Sequence, residues 1–316
     1  MLTILNVILP VFLLIALGAA LRASRFLSEA VFAGMNKLAF YVCLPAFLIT
    51  EVARTSFKLS DAMDLFLVLL FVMLATIAIG YAVAFAIRLG EPARGAFVQA
   101  AFRANQAYVG WPIVAFAAAG LAPIEKSHVQ AVMVLAVAPL IVLYNVASVF
   151  ILAPAAGRTG AAPKRTLAMA RAVLTNPLLL ACVAGLAVNA AGWRFPTLLD
   201  RTLDGLAKPA IPMALLCVGA ALRLDRMNSH WKIALTAAVL RVAVGPLLAF
   251  AGATLLGVGA IDRYVGMLFM ACPTAVAAYV MAVEMGSDDE LAASSVALST
   301  LLAFPALAAV LAAGVY

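Results

Sequence analysis

Apolar residues run through this chain in ten stretches of helical-span length, parted by short polar turns. They lie near 2–21, 30–53, 62–88, 93–120, 124–153, 166–191, 197–222, 230–257, 261–286 and 290–314. About 20 apolar residues carry a helix across the bilayer hydrocarbon, where only helices or closed barrels satisfy the backbone. The stretches are too long and too evenly apolar for barrel strands. The pattern therefore predicts an all-α polytopic membrane protein with ten transmembrane helices. Asp61 and Asp64 after Ser60, and Ser287 through Glu290, predict N-terminal helix caps.

The spans repeat. Pro10 returns as Pro177, Pro45 as Pro212 and, one residue out of step, Pro139 as Pro305, at an offset of about 167 residues. Gly18 and Gly185 keep that register, each eight residues past the first proline of its half. A duplicated unit with five spans must insert in opposite orientations, because each span flips the chain. The expectation is two inverted five-helix repeats, 1–153 and 166–316, joined by a cytoplasmic linker at 154–165, which is the arrangement of many secondary transporters.

Composition agrees. Hydrophobic residues make up 66% of the chain and charged residues 11%, with a mean hydropathy of +1.12, whereas a soluble domain is about a quarter charged. The net charge of +7 comes without any Lys/Arg run longer than two, so it reads as positive-inside loops and not as a nucleic-acid surface. With the N-terminus outside, eleven basic residues fall in inner loops and seven in outer ones. That bias predicts a multi-pass protein of the inner (plasma) membrane with both termini outside. Cys43, Cys182, Cys217 and Cys272 all fall in apolar spans without metal-ligand spacing, and no metal or cofactor is expected. The first span lacks a basic n-region and carries the repeated Pro10, so it reads as a span and not as a signal peptide.

The candidate chemistry sits in the fourth and ninth spans. Asn105, Gln106, Tyr108, Gly110 and Pro112 crowd into eight residues, with Arg103 just before them. Pro112 cannot donate to the Tyr108 carbonyl and Gly110 weakens a helix, so a break is expected near 105–112. The same register places Pro273, Thr274 and Tyr279 in a second break near 272–279. Interrupted helices at matching positions of two halves mark a transport site. The amides, the hydroxyl and the helix N-termini suit an anion, with Arg103 or the mid-span Arg241 supplying positive charge. Arg241 reads equally well as the partner of a carboxylate on a neighbouring helix. Glu51 and Glu284 are candidate coupling groups, although each closes a span and reads at least as well as a solvated helix end. His128 and His230 read as interfacial.

Several segments carry a family resemblance: MNKLAFYVCLPAFLI, RANQAYVGWPIVAFAAAG, TNPLLLACVAGLAVN, KPAIPMALLCVGAAL, and the stretch from Ala271 to Phe304. Over essentially its whole length the chain resembles the auxin efflux carrier family, whose bacterial members include candidate malonate and malate carriers. The resemblance implies a fold like those of bile-acid symporters and sodium/proton antiporters. Spans 1, 2, 6 and 7 would form a scaffold, and spans 3–5 with 8–10 a transport core in which spans 4 and 9 cross. It also implies a homodimer. The short central linker departs from plant members and makes auxin a poor default substrate.

The expected function is alternating-access transport of a small organic anion, a carboxylate, by a protein bathed in membrane lipid. A channel or an ion-coupled symporter for another solute is the alternative. A membrane-embedded enzyme is the remaining one, resting on the Asp200-x-x-x-Asp204 spacing, which lacks a second acidic motif. No catalytic residue is assigned.

Overall fold

The computed structural model describes residues 2–54, 59–154, 174–222 and 231–314. The expected linker at 154–165 and the start of the sixth span lie, apart from Pro154, outside the described residues, as does His230. Among those described, the regular structure is helical apart from one isolated β-bridge, Ala104 with Thr274. Twelve helices are distinguished here. They are α1 (Leu2–Ala23), α2 (Glu29–Arg54), α3 (Leu59–Ala86), α4 (Glu91–Phe102), α5 (106–117), α6 (Pro123–Leu152), α7 (Pro177–Ala190), α8 (Thr197–Ala221), α9 (Trp231–Leu255), α10 (Ala260–Met270), α11 (Val276–Glu284) and α12 (Asp289–Ala313).

Among the described residues, seven helices are long and apolar enough to cross a membrane by length and composition: α1, α2, α3, α6, α8, α9 and α12. The fourth and ninth expected spans divide into the short pairs α4/α5 and α10/α11, and α7 is described over 14 residues. Outward-facing side chains on these helices are largely apolar. On α1, Leu5, Leu9, Leu13 and Leu17 form one outward stripe, while Ile8, Val11 and Ile15 pack inward. An apolar outer face of this size suits lipid, not water.

The π-helical irregularities share one cause. Three π-helical turns occur among the described residues: Ala39–Cys43, Gln106–Gly110 and Leu240–Val244. Each ends two residues before a proline: Pro45, Pro112 and Pro246. Proline lacks an N–H and its ring crowds the carbonyl four residues back; the wider π turn takes up both defects. Asn176 and Asp288 cap α7 and α12, their side chains accepting from Leu178 and Leu291 N–H.

Two glycines allow α1 and α8 to touch backbone to backbone. A Cβ on Gly18 would strike the Leu216 carbonyl, and one on Gly219 the Ile15 carbonyl. On the other flank α7 lies on α2, where Gly185 leaves room for Val52 and Ile49. Arg54 ties α2 to α8 through both Asp200 (2.6 Å) and Asp204 (2.9 Å). That pairing gives the DxxxD carboxylates a structural partner. Elsewhere α3 packs on α4, α6 and α9, and α12 packs on α4, α9 and α11. Left-handed residues end helices at Arg25 and Gly192, 167 positions apart, and at Arg88 and Gly257, 169 apart.

Candidate functional site

The two interrupted helices meet at their interruptions. Asn105 N–H donates to the Pro273 carbonyl (2.8 Å), and Ala275 N–H donates to the Arg103 carbonyl (2.9 Å). This two-rung antiparallel bridge pairs backbone groups that hydrocarbon would leave bare. Thr274 N–H donates to Ser299 Oγ (3.0 Å), and its hydroxyl donates to the Ala100 carbonyl (2.8 Å), one of those orphaned at the end of α4.

The interruption in the first helix lies at 103–105, earlier than the expected 105–112. Pro112 does not break the helix, because the π turn ahead of it absorbs the missing donor and Pro112 sits in the first turn of the α-helical part of α5. Gly110 serves packing: a Cβ there would lie 2.7 Å from the Phe269 ring and 3.1 Å from Cys272 Sγ. The second interruption spans 271–275, around Pro273.

Two guanidiniums flank the crossing. Arg241, fully buried in the π turn of α9, donates to the last carbonyls of both α4 and α10: Phe102 O at 2.7 Å and Met270 O at 2.8 Å. Its partner is thus a pair of carbonyls and not a carboxylate. Arg103 donates to Ser148 Oγ (3.0 Å) and Asn145 Oδ1 (2.5 Å) on α6, and contacts Met281 Sδ on α11. Neither arginine is within ion-pair distance of an Asp or Glu among the described residues.

Buried side-chain atoms without a partner concentrate here. Among the described residues they include Gln99 Oε1, Asn105 Nδ2 and both amide atoms of Gln106, all at the crossing or on the helices against it. Native proteins keep such groups few because each costs about 1–3 kcal/mol. Their gathering at one place makes the crossing the candidate site for a polar ligand.

A cavity of about 310 Å³ opens beside the crossing, lined by Arg22, Asn36, Tyr108, Cys217, Val276 and Tyr279 among others. The Tyr108 hydroxyl donates to Asn36 Oδ1 (3.1 Å) across its wall. Further along α5, Trp111 packs edge-on against Phe47 of α2, with ring centroids 5.1 Å apart. A second, apolar cavity of about 440 Å³ between α5, α9, α10 and α12 contains none of the expected site residues.

The bridge thus gathers Arg103, Asn105, Gln106, Pro273 and Thr274, while Tyr108 and Tyr279 line the cavity and Arg241 stands behind both breaks. Glu284 is exposed at the end of α11, and Glu51 lies near the end of α2 within electrostatic reach of Arg54 and Lys126. His128 pairs with Asp262 at 2.9 Å, tying α6 to α10. Sequence reasoning missed Gln99, Tyr144, Asn145, Ser148 and Ser299. The spacing of Asn145 and Ser148 on one helical face was the signal for that pair.

Described residues that are helical throughout apart from one bridge, with seven helices long and apolar enough to span and two interrupted helices crossing, define a polytopic membrane protein. Residues 3–311 match the membrane transport protein family. The chain belongs to it, in keeping with the resemblance to auxin efflux carriers. It is 26% identical over 307 residues to a protein of Methanothermobacter thermautotrophicus named "Uncharacterized transporter", covering 95% of each. It is likewise 26% identical over 308 residues to a Rhizobium meliloti protein named "Putative malonate transporter", covering 94% of this chain and 91% of the relative.

Proposed function

We propose that this protein is a secondary carrier that moves a small organic anion, a carboxylate, by alternating access, with the anion bound where the interrupted helices meet. The observation that carries the reading is the cluster of unpartnered buried donors at the crossing, Asn105 Nδ2 and Gln106 Nε2 foremost, with two guanidiniums that have no carboxylate within ion-pair distance among the described residues. A buried anion is costly unless fixed donors replace its hydration shell. Helix N-termini at Gln106 and Val276 add positive ends. The relative's name makes malonate a reasonable first substrate to try.

On this reading the chain holds ten membrane-crossing elements in two inverted halves. Reciprocal packing supports it: α1 lies on α8 as α7 lies on α2, and α3 lies on α6 as α9 lies on α12. The paired left-handed caps, 167 and 169 positions apart, keep that register to within two residues. Helices α1, α2, α7 and α8 form the scaffold, through which two copies pair, and the others form the moving core. The inner ends of α1 and α2 face the cytoplasm, so the cavity at Arg22 opens inward while Phe47 and Trp111 close the far side.

The test is a thermal-shift screen of the purified protein against mono- and dicarboxylates with and without sodium, since a ligand of the native state raises its unfolding temperature. Asn105→Ala should unfold at the wild-type temperature yet bind the stabilising carboxylate about 1–3 kcal/mol more weakly. Unchanged affinity in that variant places the site elsewhere.

A further inference from the structure

The two half-helices that end at the crossing, α4 and α10, stop with their C-termini side by side. Phe102 O and Met270 O both lie within hydrogen-bond reach of one guanidinium. A helix C-terminus carries roughly half a negative charge, so two together amount to about one. Converging C-terminal carbonyls in broken-helix carriers are where a coupling cation is held. Here the place is taken by Arg241, whose two Nη atoms each satisfy one helix end at 2.7 and 2.8 Å, with Met270 Sδ a further 3.1 Å contact. The fit is built. Arg241 is fully buried. Its own helix widens into a π turn at Leu240–Val244. Gly245 has no side chain where a Cβ would stand 2.7 Å from Nη2 and 2.9 Å from Met270 O.

We propose that Arg241 is a built-in substitute for a coupling cation: its guanidinium fills the carbonyl site between the two helix ends and so sets the crossing to accept an anion without sodium. With one full positive charge against about one of negative dipole, the C-terminal side is neutral. The N-terminal side at Gln106 and Val276, with Arg103 beside it, stays positive and unbalanced. A bound anion supplies the missing counter-charge. Replacing Arg241 by a neutral residue leaves two bare carbonyl ends in a buried site, which a sodium ion then stabilises. The inference rests on the anion-carrier reading, but its cation arm does not need a known substrate.

The experiment follows the unfolding temperature of the purified full chain in sodium chloride against choline chloride at equal ionic strength, each with and without a panel of short mono- and dicarboxylates added as choline salts. Wild type and Arg241→Lys should be indifferent to sodium. Arg241→Gln should gain a saturable stabilisation by sodium, and should bind the carboxylate that stabilises wild type about tenfold or more weakly in choline than in sodium. Gly245→Ala, which pushes the guanidinium off Met270 O, should show the same sodium response in weaker form. If Arg241→Gln folds only with an added cation, rescue by millimolar guanidinium or sodium during purification is the expected result. Sodium indifference of Arg241→Gln with wild-type carboxylate binding overturns the proposal, as does failure of any cation to rescue its folding. If no carboxylate stabilises even wild type, the anion-carrier reading fails, and the sodium response still decides the role of Arg241.

Discussion

Replacing Gln106 by methionine should make the protein more stable and nearly useless as a carrier. Gln106 is 1% exposed, yet neither amide atom has a hydrogen-bond partner. Leaving a buried polar group unmade costs about 1–3 kcal/mol, and Gln106 leaves two. Methionine has nearly the same length and volume and no donor or strong acceptor, so it keeps the packing and removes the penalty. Taking only about 2 kcal/mol of relief, and about 2 °C per kcal/mol in a chain of this size, Gln106→Met should unfold about 4 °C higher. The same change deletes a donor to a charged ligand. That interaction is worth about 1.5–3 kcal/mol, a loss of about 10- to 150-fold in affinity. Thermal unfolding in detergent and uptake into proteoliposomes, run on one preparation, give both numbers. A variant that melts lower and transports with wild-type affinity would refute the reasoning, because Gln106 would then be holding the fold and not the ligand.

Three further outcomes follow from particular contacts. Gly219→Ala should cost about 1–3 kcal/mol, since its Cβ would strike the Ile15 carbonyl across the α1–α8 contact, whereas Gly34→Ala, with no atom near its Cβ, should be neutral or stabilising by up to about 1 kcal/mol; paired melting curves check this. Arg88→Gly should stabilise by about 1 kcal/mol and Gly257→Ala destabilise by a similar amount, because both positions hold left-handed backbone at helix ends (φ 56° and 66°). A single cysteine at Gly160 in an otherwise cysteine-free variant should react with impermeant maleimide only after lysis; labelling of intact cells would reverse the assignment of sides.

Seven of the ten expected spans, now α1, α2, α3, α6, α8, α9 and α12, were legible in the sequence because lipid imposes one simple requirement over about 20 residues at a time. The polar cluster at Asn105 and Gln106 was legible for the converse reason, as amides are rare in such runs. What local reasoning misplaced was the interruption itself. Gly110 and Pro112 look like the weak point, yet a π turn repairs the proline defect within one helix. The chain opens instead at 103–105, where a strand partner arrives from Pro273 to Ala275. That partner is about 170 residues away, and no window sees it. Arg241 shows the same limit. Its charge in an apolar span was conspicuous, but its partners are carbonyls 139 and 29 residues distant that exist as free acceptors only because two helices end there.

Counterflow tests the central claim most directly. Proteoliposomes are loaded with the carboxylate that stabilises the protein and diluted into a trace of the same compound bearing a label. A carrier that reorients with its anion at the crossing should draw the label inward transiently above equilibrium. That overshoot should vanish when Asn105→Ala and Thr274→Ala are combined. Label entry that rises linearly with concentration and never overshoots, or an overshoot untouched in the double variant, would contradict the account.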